Sequence, residues 1–302
     1  MRLSRRLASA CALAGILAGA APASAVVGEP TSWFVPAATP YGVLGHADGS
    51  IWVATASGVL RYSRAGEPLG AVTAAACASL ARGANGDVVL VDHCGRAIER
   101  RAPDGALLRR WAIADAARDG GRVVCDRADN VYVLFDRTGD GSGPVRTVVR
   151  KYDPDGAVLA ESAPLDAATG LACTGGRLYV AEAPGGRVRR LGLDLVEQGS
   201  FTLRAGLAND LQSDRDGNLL FTDRTSTSVR RLSPEGQLLE VVSDERPDWP
   251  AADAGWAPWG VSEAPDGLFI VSENSAGRVL LFGEPVVRER RRVRGSVPAD
   301  AL

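Results

Sequence analysis

The chain has 302 residues, of which 46% are apolar and 23% are charged, and its formal net charge is −2. This length and apolar content allow one large all-β domain or two ordinary domains, and they exclude a chain that is mainly disordered. A slightly acidic chain is also disfavoured as a nucleic-acid-binding protein, because such proteins present a positive surface to the phosphates.

Residues 1–25 have the pattern of a secretory signal. The basic start MRLSRRL precedes the apolar stretch ASACALAGILAGAAP, and the triplet ASA (23–25) offers a cleavage site. Cleavage would remove three arginines and no acid, so the net charge would change from −2 to −5. Acylation at Cys11 is a less favoured alternative, because almost no apolar run precedes it. We predict a secreted or periplasmic protein, without a later stretch of the roughly 18 apolar residues that a membrane helix needs.

Four cysteines remain after this cleavage, and an even number in an oxidising compartment favours disulfides. Cys77 and Cys94 are equally distant from the midpoint between Asn85 and Gly86, so a hairpin turn there would place them directly cross-strand. That pairing leaves Cys125 with Cys173. A metal site made of these thiols is disfavoured, because no spacing resembles C-x-x-C and the chain has only two histidines.

Six segments of similar pattern follow one another along the chain, each with a turn dipeptide flanked by short alternating apolar runs such as IWVAT, LYVAE and LLFTD. They begin at Gly42, Ser79, Val123, Gly170, Asp210 and Gly260. Their first turns are 37 to 50 residues apart, which is the size of a four-stranded antiparallel blade. Asp-Gly and Asn-Gly at the turns are typical of two-residue hairpins with positive φ at both central residues. We therefore predict an all-β, six-bladed β-propeller over residues 26–287.

The two ends of the chain decide how this ring closes. The sixth segment stops after RVLLF and lacks an outer strand, which TSWFVP (31–36) is predicted to supply, while PVVRERR (285–291) is the competing candidate. Residues 288–302 form a basic tail. We expect this tail to be a solvated terminal arm, and binding to an anionic polymer or a membrane surface is the less favoured alternative.

Strand order predicts which rim of the propeller carries function. In a four-stranded meander the tight turns lie on one rim, whereas the links between second and third strands and between blades lie on the other. The long segments DRTGDGSGPV (136–145) and SDERPDWPAADAGWAPW (243–259) belong to the second rim, where elongated loops usually bind ligands.

The tryptophans of the long link, Trp249, Trp256 and Trp259, alternate with prolines. They either contact a sugar, a planar ligand or a partner chain, or only pack between the blades. In the other segment, Asp136 and Asp140 have the spacing of the first half of a calcium loop, but its twelfth position is Thr147. A solvated turn is the alternative there.

The motifs DGSIWVATASGVLRY, DGNLLFTDRTSTSVRRLSPEG and PWGVSEAPDGLFIVSENSAGRVLLF resemble the NHL-repeat propellers and, more loosely, gluconolactonase-like and streptogramin-lyase-like six-bladed propellers. The gluconolactonase resemblance implies a divalent metal, calcium or manganese, at the channel mouth, held by a Glu, an Asn and an Asp. Asn209 and Asp210 match its Asn-Asp pair, while TPYGV and PWG stand where acids are expected. Capping of backbone groups at a strand start is the alternative role for this pair.

A streptogramin-lyase function would need a histidine in the later blades, whereas His46 and His93 lie in the first two. The sequence therefore favours a non-catalytic module that binds a small molecule or a protein at the channel mouth. Its ligand contacts would come from Trp249, Trp256, Trp259, Asn209 and Asp210. The alternative is a metal-dependent hydrolase of the lactonase type, and a monomer is expected in either case.

Overall fold

The computed structural model describes residues 25–26, 30–75, 79–92, 96–113, 121–137, 146–183, 185–203, 208–223, 225, 227–243 and 257–283. Within these ranges the chain forms 26 strands and no helix, so no helix there is long and apolar enough to span a membrane. The strands form six antiparallel meanders, which we number as blades one to six in chain order. The predicted all-β, six-bladed propeller is confirmed.

The strands follow one another along the chain as five groups of four and a last group of three, with three short additional strands. Two strands come first, β1 (Ala25–Val26) and β2 (Ser32–Phe34). Blade one contains β3 (Pro40–Gly45), β4 (Ile51–Thr55), β5 (Gly58–Tyr62) and β6 (Pro68–Thr73). Blade two contains β7 (Ser79–Arg82), β8 (Val88–Asp92), β9 (Ala97–Arg101) and β10 (Leu107–Ala112). Blade three contains β11 (Arg122–Cys125), β12 (Val131–Arg137), β13 (Arg146–Tyr152) and β14 (Val158–Glu161), with β15 (Leu165–Asp166) paired beside β13.

The remaining three blades repeat the same order. Blade four contains β16 (Ala168–Thr174), β17 (Arg177–Glu182), β18 (Arg187–Gly192) and β19 (Glu197–Thr202). Blade five contains β20 (Ala208–Ser213), β21 (Leu219–Asp223), β22 (Ser228–Leu232) and β23 (Leu238–Ser243). Blade six contains β24 (Pro258–Glu263), β25 (Phe269–Glu273) and β26 (Arg278–Phe282). Each inner strand (β3, β7, β11, β16, β20 or β24) contacts the inner strand of the next blade, and β24 contacts β3, so the ring is complete.

The N-terminal segment closes the ring. β2 pairs antiparallel with β26, with Trp33 opposite Leu280, and supplies the fourth strand of blade six. This confirms the closure predicted for TSWFVP, and the competing segment 285–291 lies outside the described residues. β1 adds in parallel to β23 as a fifth strand of blade five, with Ala25 opposite Glu240.

The tight turns differ from the predicted two-residue hairpins. In the turn from His46 to Ser50, only Gly49 has a positive φ, at 86°, while Asp48 does not. A four-residue turn that ends in a left-handed residue needs a single positive φ, which Gly adopts most readily. Asp129 and Leu195 take the same position in two other turns, with φ of 67° and 69°. The prediction of two positive φ angles was wrong for these turns. It holds at Gly175 and Gly176, where φ is 56° and 71°.

The hydrophobic core lies between neighbouring blades. Between blades three and four, for example, Tyr132 and Val149 pack against Leu171 and Val180, and all four are at most 1% exposed. Each blade thus buries side chains on both faces, as expected for strands that are apolar at nearly every position. The inner strand is the edge strand of each blade, and some of its backbone N–H groups donate to side chains of a neighbouring blade, as at Gly45, Val123 and Val261.

Candidate functional site

The site lies at the end of the channel where the inner strands begin. Four inner strands carry a bulge at the same place, between Pro40 and Gly42, Ala168 and Gly170, Ala208 and Asp210, and Pro258 and Gly260. A bulge leaves one residue outside the regular pairing and redirects its side chain. The bulged residues are Tyr41, Thr169, Asn209 and Trp259, and all four are half-buried. They form the wall of the channel mouth.

Glycine follows three of these bulged residues because the neighbouring blades approach closely. A Cβ at Gly260 would lie 2.6 Å from the backbone oxygen of Tyr41, and one at Gly170 would lie 2.7 Å from the Cβ of Leu211. Blade five carries Asp210 at this position instead. The sequence pair Asn209-Asp210 is therefore the blade-five version of a repeated bulge.

Asp210 is 3% exposed, and both of its carboxylate oxygens are engaged by the protein. Oδ1 accepts a hydrogen bond from the N–H of Leu211 at 3.0 Å, and Oδ2 accepts one from the N–H of Val261 at 3.2 Å. Its own N–H donates to Thr222 Oγ1 at 3.1 Å, and that hydroxyl donates to the backbone oxygen of Trp259 at 3.0 Å. Asp210 thus caps one backbone N–H in blade five and one in blade six, and in this way links the two blades. Backbone capping is the alternative role that the sequence suggests for it.

Arg122 crosses the channel mouth from blade three. Its Nε donates to the backbone oxygen of Thr169 at 3.0 Å and lies 3.4 Å from Oδ1 of Asp210, while Nη2 donates to the backbone oxygen of Asn209. The guanidinium therefore joins blades three, four and five. Nη1 has no partner among the described residues, and the side chain is 17% exposed.

The other mouth residues also keep polar groups available. Asn209 Nδ2 donates to the backbone oxygen of Pro258 at 3.3 Å, which leaves the amide oxygen without a described partner. The rings of Tyr41 and Trp259 meet edge to face, with centroids 5.9 Å apart. An aromatic pair, an amide oxygen and a guanidinium edge therefore surround the mouth.

These contacts do not fit a divalent cation held by Asn209 and Asp210. The Asp210 oxygens already accept two backbone N–H groups, and the permanent charge of Arg122 beside them would repel a cation. Within the described ranges, no three side chains of His, Cys, Asp or Glu lie close enough together to hold a metal.

The second predicted metal position falls at the edge of the described residues. Asp136 lies near the end of β12 and is paired through its backbone with Thr147 of β13. The first and twelfth positions of the predicted calcium loop therefore face each other across a hairpin. The side chain of Asp136 and residue Asp140 lie outside the described residues, as do Trp249 and Trp256.

The histidines and cysteines are placed away from the mouth or outside the described ranges. His46 is 3% exposed on the tight-turn rim, where Nε2 lies 2.8 Å from the backbone oxygen of Gly86 and Nδ1 lies 3.0 Å from Oδ1 of Asp48. It links the turns of blades one and two. His93, Cys77 and Cys94 lie outside the described residues.

The predicted bridge between Cys125 and Cys173 is not formed, and both are free thiols. Cys125 packs with the cluster between blades two and three, whereas Cys173 packs with the cluster between blades three and four. The two side chains therefore lie on opposite sides of the β11 strand, although their strands are neighbours. Burial raises the pKa of both thiols, to about 12 for Cys173.

Sequence reasoning missed Arg122, Tyr41 and Thr169. Tyr41 and Thr169 could have been found by aligning the segments PYG, ATG and PWG, in which the same position before glycine carries the bulge. Arg122 has no such signal, because its partners belong to two other blades.

No sequence model of a known protein family matches this chain, and no curated protein sequence matches it. Among solved structures, it is similar to a gluconolactonase from Xanthomonas campestris, with 19% identity, a TM-score of 0.62 and coverage of 82% of this chain and 88% of the other. It is similar to streptogramin B lyase, with 14% identity, a TM-score of 0.58 and coverage of 83% and 96%. For virginiamycin B lyase from Staphylococcus aureus the identity is 13%, the TM-score 0.56 and the coverage 84% and 98%. The chain therefore has the six-bladed fold found in gluconolactonase-like and virginiamycin B lyase propellers.

Proposed function

We propose that this protein is a non-catalytic binding module that takes a small ligand at the channel mouth. The observation that carries the proposal is the ring of bulged, half-buried side chains with free polar atoms, built on rigid inner strands. Ligand sites commonly combine aromatic walls with a few placed polar groups. Binding at such a mouth requires no chemical step.

The chemistry of the mouth favours a hydroxylated ring that carries a carboxylate or a carbonyl group. Trp259 and Tyr41 offer flat apolar surfaces of the kind on which sugar rings stack. Arg122 Nη1 can donate to a ligand oxygen, and the amide oxygen of Asn209 can accept from a hydroxyl. The negative charge of Asp210 beside Arg122 reduces the attraction for simple anions, so the ring contacts are needed for affinity.

The test is thermal unfolding of the purified protein with D-glucose, D-glucuronate and D-glucono-δ-lactone, each with and without EDTA. A ligand at a hundredfold over its Kd adds about 2.7 kcal/mol to the free energy of unfolding. We expect D-glucuronate to stabilise the protein with or without EDTA, and the Trp259→Ala variant to lose this shift. Trp33→Ala is the matched control, because Trp33 is 49% exposed on the outer strand of blade six.

The competing proposal is a metal-dependent hydrolase of the lactonase type. It predicts release of acid from D-glucono-δ-lactone, abolished by EDTA and restored by calcium or manganese. Such an activity would contradict our proposal, as would ligand stabilisation that is equal in Trp259→Ala and in the parent. A protein partner that binds stably at this rim, with no sugar bound, would instead identify the protein as a protein-binding module.

We also propose that the protein acts outside the cytoplasm, in the periplasm or the medium. The basic, apolar and ASA segments of residues 1–25 support this proposal. N-terminal sequencing of the protein recovered from the producing cells tests it. Val26 as the first residue is expected, whereas Met1 would contradict it.

A further inference from the structure

The first tight turn of blade two contains the single Asn-Gly pair of the chain, Asn85-Gly86. Asn85 is exposed, and Gly86 has a positive φ of 81°. Apart from the chain neighbours of Gly86, no heavy atom would lie within 4 Å of a Cβ added there, so the turn is open on this side. The N–H of Gly86 donates to the backbone oxygen of Gly83 at 3.1 Å, which is an ordinary turn contact.

An asparagine followed by glycine can react with its own backbone. The backbone nitrogen of Gly86 attacks Cγ of Asn85, the bond from Cγ to Nδ2 breaks, and ammonia leaves with the proton of the Gly86 N–H. Water then opens the succinimide ring that has formed and leaves aspartate or isoaspartate at position 85. Glycine favours this reaction because it has no side chain to hinder the approach of the two groups.

The other asparagines are not placed in this way. Each of them precedes a residue with a side chain: Asn130, Asn209, Asn218 and Asn274 precede Val131, Asp210, Leu219 and Ser275. Val131 and Leu219 are fully buried within strands. The N–H groups of Asp210 and Ser275 donate to side-chain oxygens at 3.1 and 2.8 Å. Asn85 is therefore the asparagine whose following peptide nitrogen is least protected.

The side chain of Asn85 faces a group of acids at the junction of blades two and three. Its Nδ2 lies 3.4 Å from Oδ2 of Asp129, and the other oxygen of that carboxylate accepts from the N–H of Ala84 at 3.0 Å. Arg100 pairs with both Asp129 and Asp87, so one guanidinium already serves two carboxylates. A carboxylate at position 85 would replace a donor that faces Asp129 with a group of the same charge.

We propose that Asn85 is a site of spontaneous deamidation, which loosens the junction between blades two and three as the protein ages. The reaction needs only water, so no enzyme takes part. It is irreversible, because ammonia is lost. The product adds a negative charge beside two carboxylates that share one arginine, and the isoaspartate form also lengthens the backbone of the turn.

Peptide mapping by mass spectrometry tests the site after the purified protein has been kept in a mildly alkaline buffer. The peptide that contains Asn85 should gain the mass difference between a hydroxyl and an amino group, and it should separate into aspartate and isoaspartate forms. Asn130 and Asn218 are internal controls, because their side chains also donate to aspartates, at 2.8 and 3.0 Å, but precede buried residues. Their peptides should keep their mass over the same time.

Two variants test the consequence of the reaction. Asn85→Asp and Asn85→Ser both lose the contact of the amide with Asp129, but only Asn85→Asp adds a carboxylate. The Tm of Asn85→Asp should therefore be lower than that of Asn85→Ser. An Asn85 peptide that keeps its mass in the folded protein, while the same peptide converts in urea, would overturn the proposed site. Equal Tm values of the two variants would overturn the proposed loosening of the junction.

Discussion

Replacing Asp210 with asparagine tests whether this residue caps backbone groups and pairs with Arg122. Asparagine has the same shape but keeps only one oxygen. If that oxygen takes the place of Oδ1, the amide nitrogen faces the N–H of Val261, which leaves a buried donor without an acceptor. Such a group costs about 1–3 kcal/mol. The Arg122 guanidinium also loses the charge that lies 3.4 Å from its Nε.

We expect the free energy of unfolding to fall by about 3 kcal/mol in total, since breaking a buried ion pair is itself strongly destabilising. For a chain of this size, 1 kcal/mol shifts Tm by about 2–4 °C, so Asp210→Asn should lower Tm by about 6–12 °C. The assay is thermal unfolding followed by circular dichroism, with and without EDTA. The parent Tm should not respond to EDTA.

Asp216→Asn is the matched control. Asp216 also pairs with an arginine, Arg231, at 2.8 Å, but its side chain is 60% exposed. Exposed ion pairs contribute about 0–1 kcal/mol, so this variant should unfold close to the parent. A Tm change below about 2 °C in Asp210→Asn, or a parent Tm that falls on chelation, would refute the reasoning.

Three further predictions concern the frame that carries the site. Gly156→Ala should lower the free energy of unfolding by about 1–3 kcal/mol more than Gly86→Ala does. The φ angle is positive at both glycines, but only a Cβ at Gly156 would meet another side chain, 2.7 Å from Trp111 Cγ. Equal urea midpoints of the two variants would contradict this. Burial raises the pKa of Asp48, but hydrogen bonds from Ser50 outweigh it and lower the pKa to about 2. The stability that Asp48 contributes should therefore be complete above its ordinary pKa of 3.8 and be lost as the pH falls through about 2, so the urea midpoints of the parent and Asp48→Asn should converge over that range. Deleting β2 leaves the edge of β26 unpaired, so Tm should fall; an unchanged melting curve would show that β2 does not hold the ring closed.

The repeated local pattern explains why the fold could be predicted. Apolar alternation and turn glycines recur in every blade, and both act over only a few residues. The closing strand could also be predicted, because the sixth segment lacks one strand and only the chain ends were available. The turn type was missed, since Asp-Gly fits both a two-residue turn and a four-residue turn with one left-handed glycine.

The site was predicted only in part. Asn209 and Asp210 were placed correctly at the start of an inner strand, because strand order alone determines which rim that is. Their partners were not predictable. Arg122 reaches two blades away, and its contacts with the backbone oxygens of Thr169 and Asn209 exist only after the ring has closed.

The cysteines show the same limit. Cys125 and Cys173 are the remaining pair by arithmetic, but the strand direction turns their side chains into different blade interfaces.

The sequence by itself determined the number of blades, the positions of the tight turns and the rim at which the inner strands begin. These properties depend on local periodicity and on the direction of successive strands. The tertiary structure alone decided that Nε of Arg122 lies 3.4 Å from Oδ1 of Asp210 and that Arg82 donates to the backbone oxygen of Gly45 in another blade. The physical reason is that a channel is lined by six strands distant in sequence, so its electrostatics depends on which side chains cross it.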